Sequence, residues 1–185
     1  MPHERALRGT RVLSDKNVVR LVGVTRPAPG LRRISFGGTA AIVTSMGVIV
    51  GLYAATVQRA AIIGSLLIVA LADNLTDSLG VHVYQESERL AEHEAFRTTV
   101  ANFATRLLVS LSFVAIVMLM STAAGAILIS LAWGLLLLAG LSHQLAKARG
   151  VRPLSEICKH CAVAAIVIAL SAAIGTWIPR WLGAS

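Results

Sequence analysis

The sequence predicts an all-α, polytopic membrane protein with five transmembrane helices. Of its 185 residues, 56% are hydrophobic and 14% are charged, whereas globular domains carry about 25% charged residues. The mean hydropathy of the chain is +0.74. The apolar runs are long enough to cross about 30 Å of hydrocarbon, and they do not alternate apolar with polar residues. They therefore predict helices rather than the strands of a barrel.

A basic tail, residues 1–30, is expected to precede a five-helix transmembrane domain, residues 31–185. The predicted spans cover about residues 34–57, 60–84, 98–120, 123–145 and 156–178. Pro27, Pro29 and Gly30 break any helix at the end of the tail. The tail lacks an apolar core of the length that a secretory signal peptide needs.

The distribution of Lys and Arg predicts the orientation. The tail and the residues just before the first span are basic: Arg5, Arg8, Arg11, Lys16, Arg20, Arg26, Arg32 and Arg33. Lys147, Arg149 and Arg152 follow the fourth span, so basic loops fall on alternate sides. The amino terminus should be cytoplasmic and the carboxy terminus outside, in the plasma or inner membrane if the protein is prokaryotic. The net charge of +8 comes mostly from this tail, which we expect to contact anionic lipid headgroups, and no nucleic-acid partner is expected.

Two carboxylates lie within the second predicted span. Asp73 and Asp77 are four residues apart, so a helix places them on one face. An ionisable side chain at bilayer depth costs about 2.5–3.5 kcal/mol, so such residues usually face a bundle interior or a water-filled cavity. With Asn74 beside them, they predict half of a cation or proton site. One alternative stays open: Arg97 or Arg106 of the next helix neutralises the pair, which then only stabilises the bundle.

A second group of possible ligands lies where the second span should reach the cytoplasm. Carboxylates and imidazoles are ligands for Mn²⁺, Fe²⁺ and Zn²⁺. The predicted vestibule for metal ions consists of His82, Glu86, Glu88, Glu92 and His93. The alternative is a solvated helix end of mixed charge.

Small residues and cysteines suggest two further features. Gly37–Ala41 and Gly47–Gly51 have the spacing that allows helices to approach closely, either inside the chain or at a homodimer seam. Cys158 and Cys161 flank His160 at the entrance of the fifth span. We interpret the two thiols as small apolar side chains, since a metal site would need more ligands than these residues supply.

Two segments resemble the vacuolar iron transporter (VIT) family. Residues 36–45, Phe-Gly-Gly-Thr-Ala-Ala-Ile-Val-Thr-Ser, resemble its opening helix, and residues 72–80, Ala-Asp-Asn-Leu-Thr-Asp-Ser-Leu-Gly, resemble its second helix. The resemblance covers about residues 31–182. It implies export of Fe²⁺ or Mn²⁺ from the cytoplasm, against protons. We expect a homodimer with helices one and two lining its central seam.

The chain departs from the family pattern at the metal site. Ala40 aligns with the family's first-helix Asp, Asp77 aligns with its second-helix Met, and the long acidic insert after helix two is missing. We therefore expect Asp73 and Asp77 of each subunit, with Asn74, to hold the ion, flanked by Thr44 and Met46 of helix one. Oxygen ligands favour Mn²⁺, Fe²⁺, Mg²⁺ or Ca²⁺ over Cu⁺ or Zn²⁺. The ion is substrate, and no permanently bound cofactor is expected.

Two other functions compete with transport. In one, a divergent relative has lost transport and keeps the fold as a membrane scaffold or sensor, with its Asp pair neutralised by arginine. In the other, the chain is an enzyme similar to the CDP-alcohol phosphatidyltransferases, which also carry Asp-x-x-x-Asp on a membrane helix. Their upstream Asp-Gly-x-x-Ala-Arg is absent before Asp73. No hydrolase triad, phosphate loop or His-Glu-x-x-His motif occurs either, so the chain is not expected to be an enzyme.

Overall fold

The computed structural model describes residues 29–87 and 92–183. Within them, five helices are long and apolar enough to cross a membrane, and no strand occurs. Helix α1 covers Pro29–Ala54, α2 Arg59–Ser87, α3 Glu92–Leu119, α4 Ala123–Arg149 and α5 Pro153–Leu182. The predicted all-α class with five candidate spans is confirmed, and it is compatible with a multi-pass integral membrane protein. Residues 1–28 of the predicted basic tail lie outside the described residues. The expectation that Pro29 and Gly30 break a helix is wrong, because they form the start of α1, where proline is tolerated.

Each helix contains its predicted span almost entirely and extends beyond it, because a hydropathy run marks only the apolar part of a helix. Helix α4, for example, continues from its apolar run through Lys147 to Arg149 and ends at Gly150, whose φ of 68° is left-handed. At its start the Thr122 side chain accepts a hydrogen bond from the backbone N–H of Gly125, at 3.1 Å. Helix α5 begins at Pro153. Proline suits this position because backbone N–H groups in the first turn of a helix have no hydrogen-bond partner within the helix.

Helix α2 is interrupted near its middle by a π-helical turn. The segment Arg59–Ile68 is α-helical, Val69–Asp73 forms the π-helical turn, and Asn74–Ser87 is α-helical again. Such a turn changes the direction in which the following side chains point, and it is frequent at functional sites. In this helix it ends at Asp73, the first residue of the predicted site.

Helix α1 lies inside the bundle and packs against each of the other four helices. Its small residues allow this position. Gly47 lies against Ser171 of α5, and an added Cβ at Gly175 would overlap the carbonyl oxygen of Gly51. The Gly47–Gly51 spacing therefore serves a contact within the chain, between α1 and α5.

The position of α1 bears on the expected dimer seam. Ala41, Ile42 and Met46 of α1 are fully buried within one chain. Helix α2, in contrast, exposes a row of large apolar side chains: Leu67, Ile68, Leu71, Leu75, Leu79 and Val83. Of the two helices expected at a homodimer seam, α2 is thus the one with a broad apolar face outside the bundle.

Candidate functional site: an arginine between two aspartates

Helices α2 and α3 share a polar interface, here called the polar seam. Its buried side chains recur every four residues on both helices, so they form one stripe on each. On α2 the stripe contains Asn74 and Ser78, and on α3 it contains Thr98, Asn102, Arg106 and Ser110. Asn74 meets Arg106 and Ser78 meets Asn102, which is the pairing of two antiparallel helices.

Arg106 lies at the centre of the polar seam and is 1% exposed. Its Nη2 donates to Asp73 Oδ2 at 2.8 Å, and its Nη1 lies 2.7 Å from Asp77 Oδ2. The second contact lacks the alignment of a hydrogen bond, so it is mainly a contact between charges. The prediction that Asp73 and Asp77 share a face is confirmed by their common partner.

Asn74 and the π-helical turn hold the third nitrogen of the Arg106 guanidinium, Nε. Arg106 Nε donates to Asn74 Oδ1 at 2.8 Å, and Asn74 Nδ2 donates to Ala70 O, also at 2.8 Å, and lies 3.5 Å from Ser110 Oγ. Ala70 belongs to the π-helical turn. The turn and the arginine are therefore connected through one buried amide, which orients both.

Gly37 of α1 provides the space behind the arginine. A Cβ at this position would overlap Asn102 Oδ1 and lie 3.0 Å from Arg106 Cγ. Asn102 in turn donates to Ser78 Oγ at 3.2 Å. A side chain larger than hydrogen at position 37 would displace the two α3 residues that the polar seam depends on.

The two carboxylates are only partly covered. The side chains of Asp73 and Asp77 are 45% and 43% exposed, whereas that of Arg106 is 1% exposed. The guanidinium thus approaches from inside the bundle, and the opposite side of each carboxylate faces outwards. Two carboxylates and one guanidinium leave a net charge of −1 when all three are ionised.

Of the two arginines proposed as ion-pair partners, Arg106 is the one that binds the aspartates. Arg97 is exposed near the start of α3. The difference follows from the helical repeat, since Arg106 lies on the buried stripe with Asn102 and Ser110.

The ligands expected from α1 lie elsewhere along the bundle. Met46 is fully buried in an apolar cluster with Ile42 and Phe113, and its sulfur packs against Gly134 of α4. It lies nine residues, or about 13 Å of helix, beyond Gly37, which is level with Arg106. Thr44 is half-buried. Coordination of an ion by Met46 and Thr44 stays a prediction, for which this arrangement offers no support.

The predicted vestibule is assembled only in part. His82 Nε2 lies 3.4 Å from Glu86 Oε1, and His82 Nδ1 lies 3.2 Å from Thr99 Oγ1 of α3. His93 is exposed. Glu88 and the side chain of Glu92 lie outside the described residues. Where the structure describes side chains, no group of three or more His, Cys, Asp or Glu residues is close enough to hold a metal ion.

The cysteine motif contains one ordered contact. Cys158 is exposed and Cys161 is half-buried, and both are free thiols. His160 between them places Nδ1 2.8 Å from Ser142 Oγ of α4, so the imidazole links α5 to α4. His143 near the end of α4 is another possible metal ligand by its side-chain chemistry, and it is exposed.

Sequence reasoning missed Ser78, Asn102 and Ser110 as members of the polar seam. A detectable signal was present, because polar residues recur every four positions through the third apolar run, at residues 98, 102, 106 and 110. It also missed the π-helical turn, for which the apolar sequence Val69 to Ala72 gives no sign.

Comparisons of the chain with protein-family models, with curated proteins and with solved structures give no match.

Proposed function

We propose that this chain is an integral membrane protein that carries a divalent cation, Fe²⁺ or Mn²⁺, out of the cytoplasm, with Asp73 and Asp77 as its central ligands. One observation carries the proposal. The buried Arg106 compensates one carboxylate, yet two carboxylates meet it. The second carboxylate is more than a structural ion pair requires.

In a bilayer, the carboxylate that Arg106 does not neutralise needs a cation beside it. An uncompensated carboxylate near the middle of a span costs about 2.5–3.5 kcal/mol, so binding of a cation there is favoured. Only an ionised carboxylate is a metal ligand, so a metal ion and a proton exclude each other at this site. Such exclusion is the least that coupling of metal flux to protons requires.

A second copy of the chain would match the charge of a divalent ion. Each cluster carries −1 when ionised, so two clusters related by a two-fold axis carry −2. The half-exposed carboxylates lie on one flank of α2, about half a turn around the helix from the exposed Leu75 and Leu79. A homodimer seam along the carboxylate flank of α2 would remove the carboxylates from lipid and place both clusters beside one ion.

Membership of the VIT family, outward transport and proton coupling rest on the resemblance of residues 36–45 and 72–80. The cytoplasmic amino terminus rests on the distribution of basic residues. Oxygen ligands support Mn²⁺ or Fe²⁺ as the substrate rather than softer ions.

A second candidate function, a non-transporting scaffold or sensor, is favoured by the burial of Arg106. The guanidinium contacts three side chains of α2, and this would stabilise the hairpin of α2 and α3 without any ion. The scaffold needs no access for water to the cluster.

Flux measurements separate the two functions. Mn²⁺ and Fe²⁺ uptake into proteoliposomes, with and without a proton gradient, is compared for wild type, Asp73→Asn and Asp77→Asn. The control is Glu156→Gln, which neutralises a carboxylate of α5 that binds Lys159 at 2.9 Å. A transporter gives flux in wild type and in the control, and flux near background in both Asp variants. Absence of flux in folded wild type would contradict transport and favour the scaffold.

A further inference from the structure

We infer that the Arg106 guanidinium is a built-in counter-ion that competes with the transported cation for Asp73 and Asp77, and thereby sets how weakly the site holds a divalent ion. The inference rests on the proposed function, because it assigns a selectivity role within the same site. It assigns Arg106 a task beyond stabilising the bundle.

The approach directions of the two cations differ. Arg106 contacts Oδ2 of each aspartate from the buried side, with its own side chain 1% exposed. The aspartate side chains are almost half exposed on the opposite side. A metal ion can therefore reach the carboxylates while the guanidinium is still in place, and the two positive charges then share the same pair of carboxylates.

The arginine cannot move away to relieve that repulsion. Nε is held by Asn74 Oδ1, which itself is fixed by its bond to Ala70 O. Behind the side chain, the backbone of α1 at Gly37 lies close to Arg106 Cγ. A guanidinium and a divalent cation a few ångströms apart at a partly buried site repel strongly enough to change a dissociation constant by on the order of tenfold or more.

The two carboxylates are not held equally. Asp73 receives an aligned hydrogen bond, whereas Asp77 makes only a charge contact. A metal ion will therefore draw Asp77 away from the guanidinium before Asp73. Fixed competition of this kind keeps the bound state weak enough for the ion to be released, which a carrier needs and a storage site does not.

The test is equilibrium Mn²⁺ binding to the purified full chain in lipid nanodiscs. Arg106→Gln removes the competing charge and should lower the Kd by about tenfold or more, with slower release. Arg106→Lys keeps the charge and should leave the Kd within about threefold of wild type. Arg97→Gln, the same change at an exposed arginine, is the matched control and should have no effect.

Each outcome decides one of the two proposals. If wild type neither binds nor transports Mn²⁺ but Arg106→Gln binds it, the transport function fails and the counter-ion role stands. If wild type transports and Arg106→Gln has an unchanged Kd, or the Lys and Gln variants shift it equally, the counter-ion role is wrong.

Folding of the Gln variant is checked by its melting temperature with and without Mn²⁺. Mn²⁺ should raise it more than in wild type, because the freed carboxylates accept the ion in place of the guanidinium. An Arg106→Gln chain that stays unfolded in Mn²⁺ would equally overturn the inference.

Discussion

The polar seam between α2 and α3 and the small-residue contact between α1 and α5 hold the bundle together by different means. The first joins helices through Arg106, Asn74 and the two aspartates, with distances of 2.7–2.8 Å. The second brings Gly51 and Gly175 so close that an added Cβ would meet backbone. In lipid, where apolar side chains gain nothing by avoiding the solvent, both packing and hydrogen bonds can drive helix association. Only the polar seam also carries charge, and so only it can bind an ion.

The largest expected effect is on stability, and it shows whether one or both aspartates of the polar seam are needed to neutralise Arg106. Asp73→Asn and Asp77→Asn should each change the unfolding free energy by about 1 kcal/mol or less, since the other aspartate still neutralises Arg106. The double variant leaves a buried, unpaired guanidinium and should lose about 3–5 kcal/mol. Unfolding in mixed micelles, followed by circular dichroism, measures all three.

The non-additivity is the informative quantity. If each single variant were as unstable as the double, both aspartates would be needed for stability, and the surplus carboxylate on which the transport proposal depends would not exist.

The small-residue contact should respond to volume instead of charge. Gly175→Ala inserts a Cβ where the carbonyl oxygen of Gly51 lies and should destabilise the fold by about 1–3 kcal/mol. Gly140→Ala in α4 adds the same atom where no atom beyond the neighbouring residues and backbone of α4 lies within 4 Å. The same unfolding assay should find that variant close to wild type; equal losses for the two would mean that α1 and α5 are not in close contact.

The smallest expected effect concerns a neutral bond of the polar seam. Asn102 and Ser78 share one hydrogen bond at 3.2 Å. A double-mutant cycle with Asn102→Ala and Ser78→Ala should give a coupling energy of about 0.6 kcal/mol, as is typical between membrane helices. A coupling near that of a charged pair would show that the neutral bonds, rather than Arg106, dominate the polar seam.

The sequence was sufficient for the class of fold and for part of the site. Long apolar runs predict helices because each must satisfy its own backbone hydrogen bonds in lipid. The four-residue spacing of Asp73 and Asp77 likewise predicts a shared face, and their common partner agrees with it. Both are local properties of the chain.

The choice between Arg97 and Arg106 could not be made from local properties. It depends on the rotation of α3 about its axis, which is fixed by contacts with α1 and α2, including the space left at Gly37. The predicted proximity of Met46 to the aspartates failed for the same reason, since Met46 packs against α4. A sequence does not show which residues of different helices lie at the same height along the bundle.

The order of the ion partners along the chain has a consequence for biogenesis. Asp73 precedes Arg106 by 33 residues, so α2 is synthesised with two carboxylates before their counter-charge exists. Entering a bilayer alone, α2 would carry about 2.5–3.5 kcal/mol of penalty for each ionised aspartate. If α2 enters together with α3, the Arg106 guanidinium neutralises one of the two carboxylates. In a membrane-inserted chain, the helical hairpin of α2 and α3, rather than either helix alone, would therefore be the smallest unit that enters lipid with its charges paired.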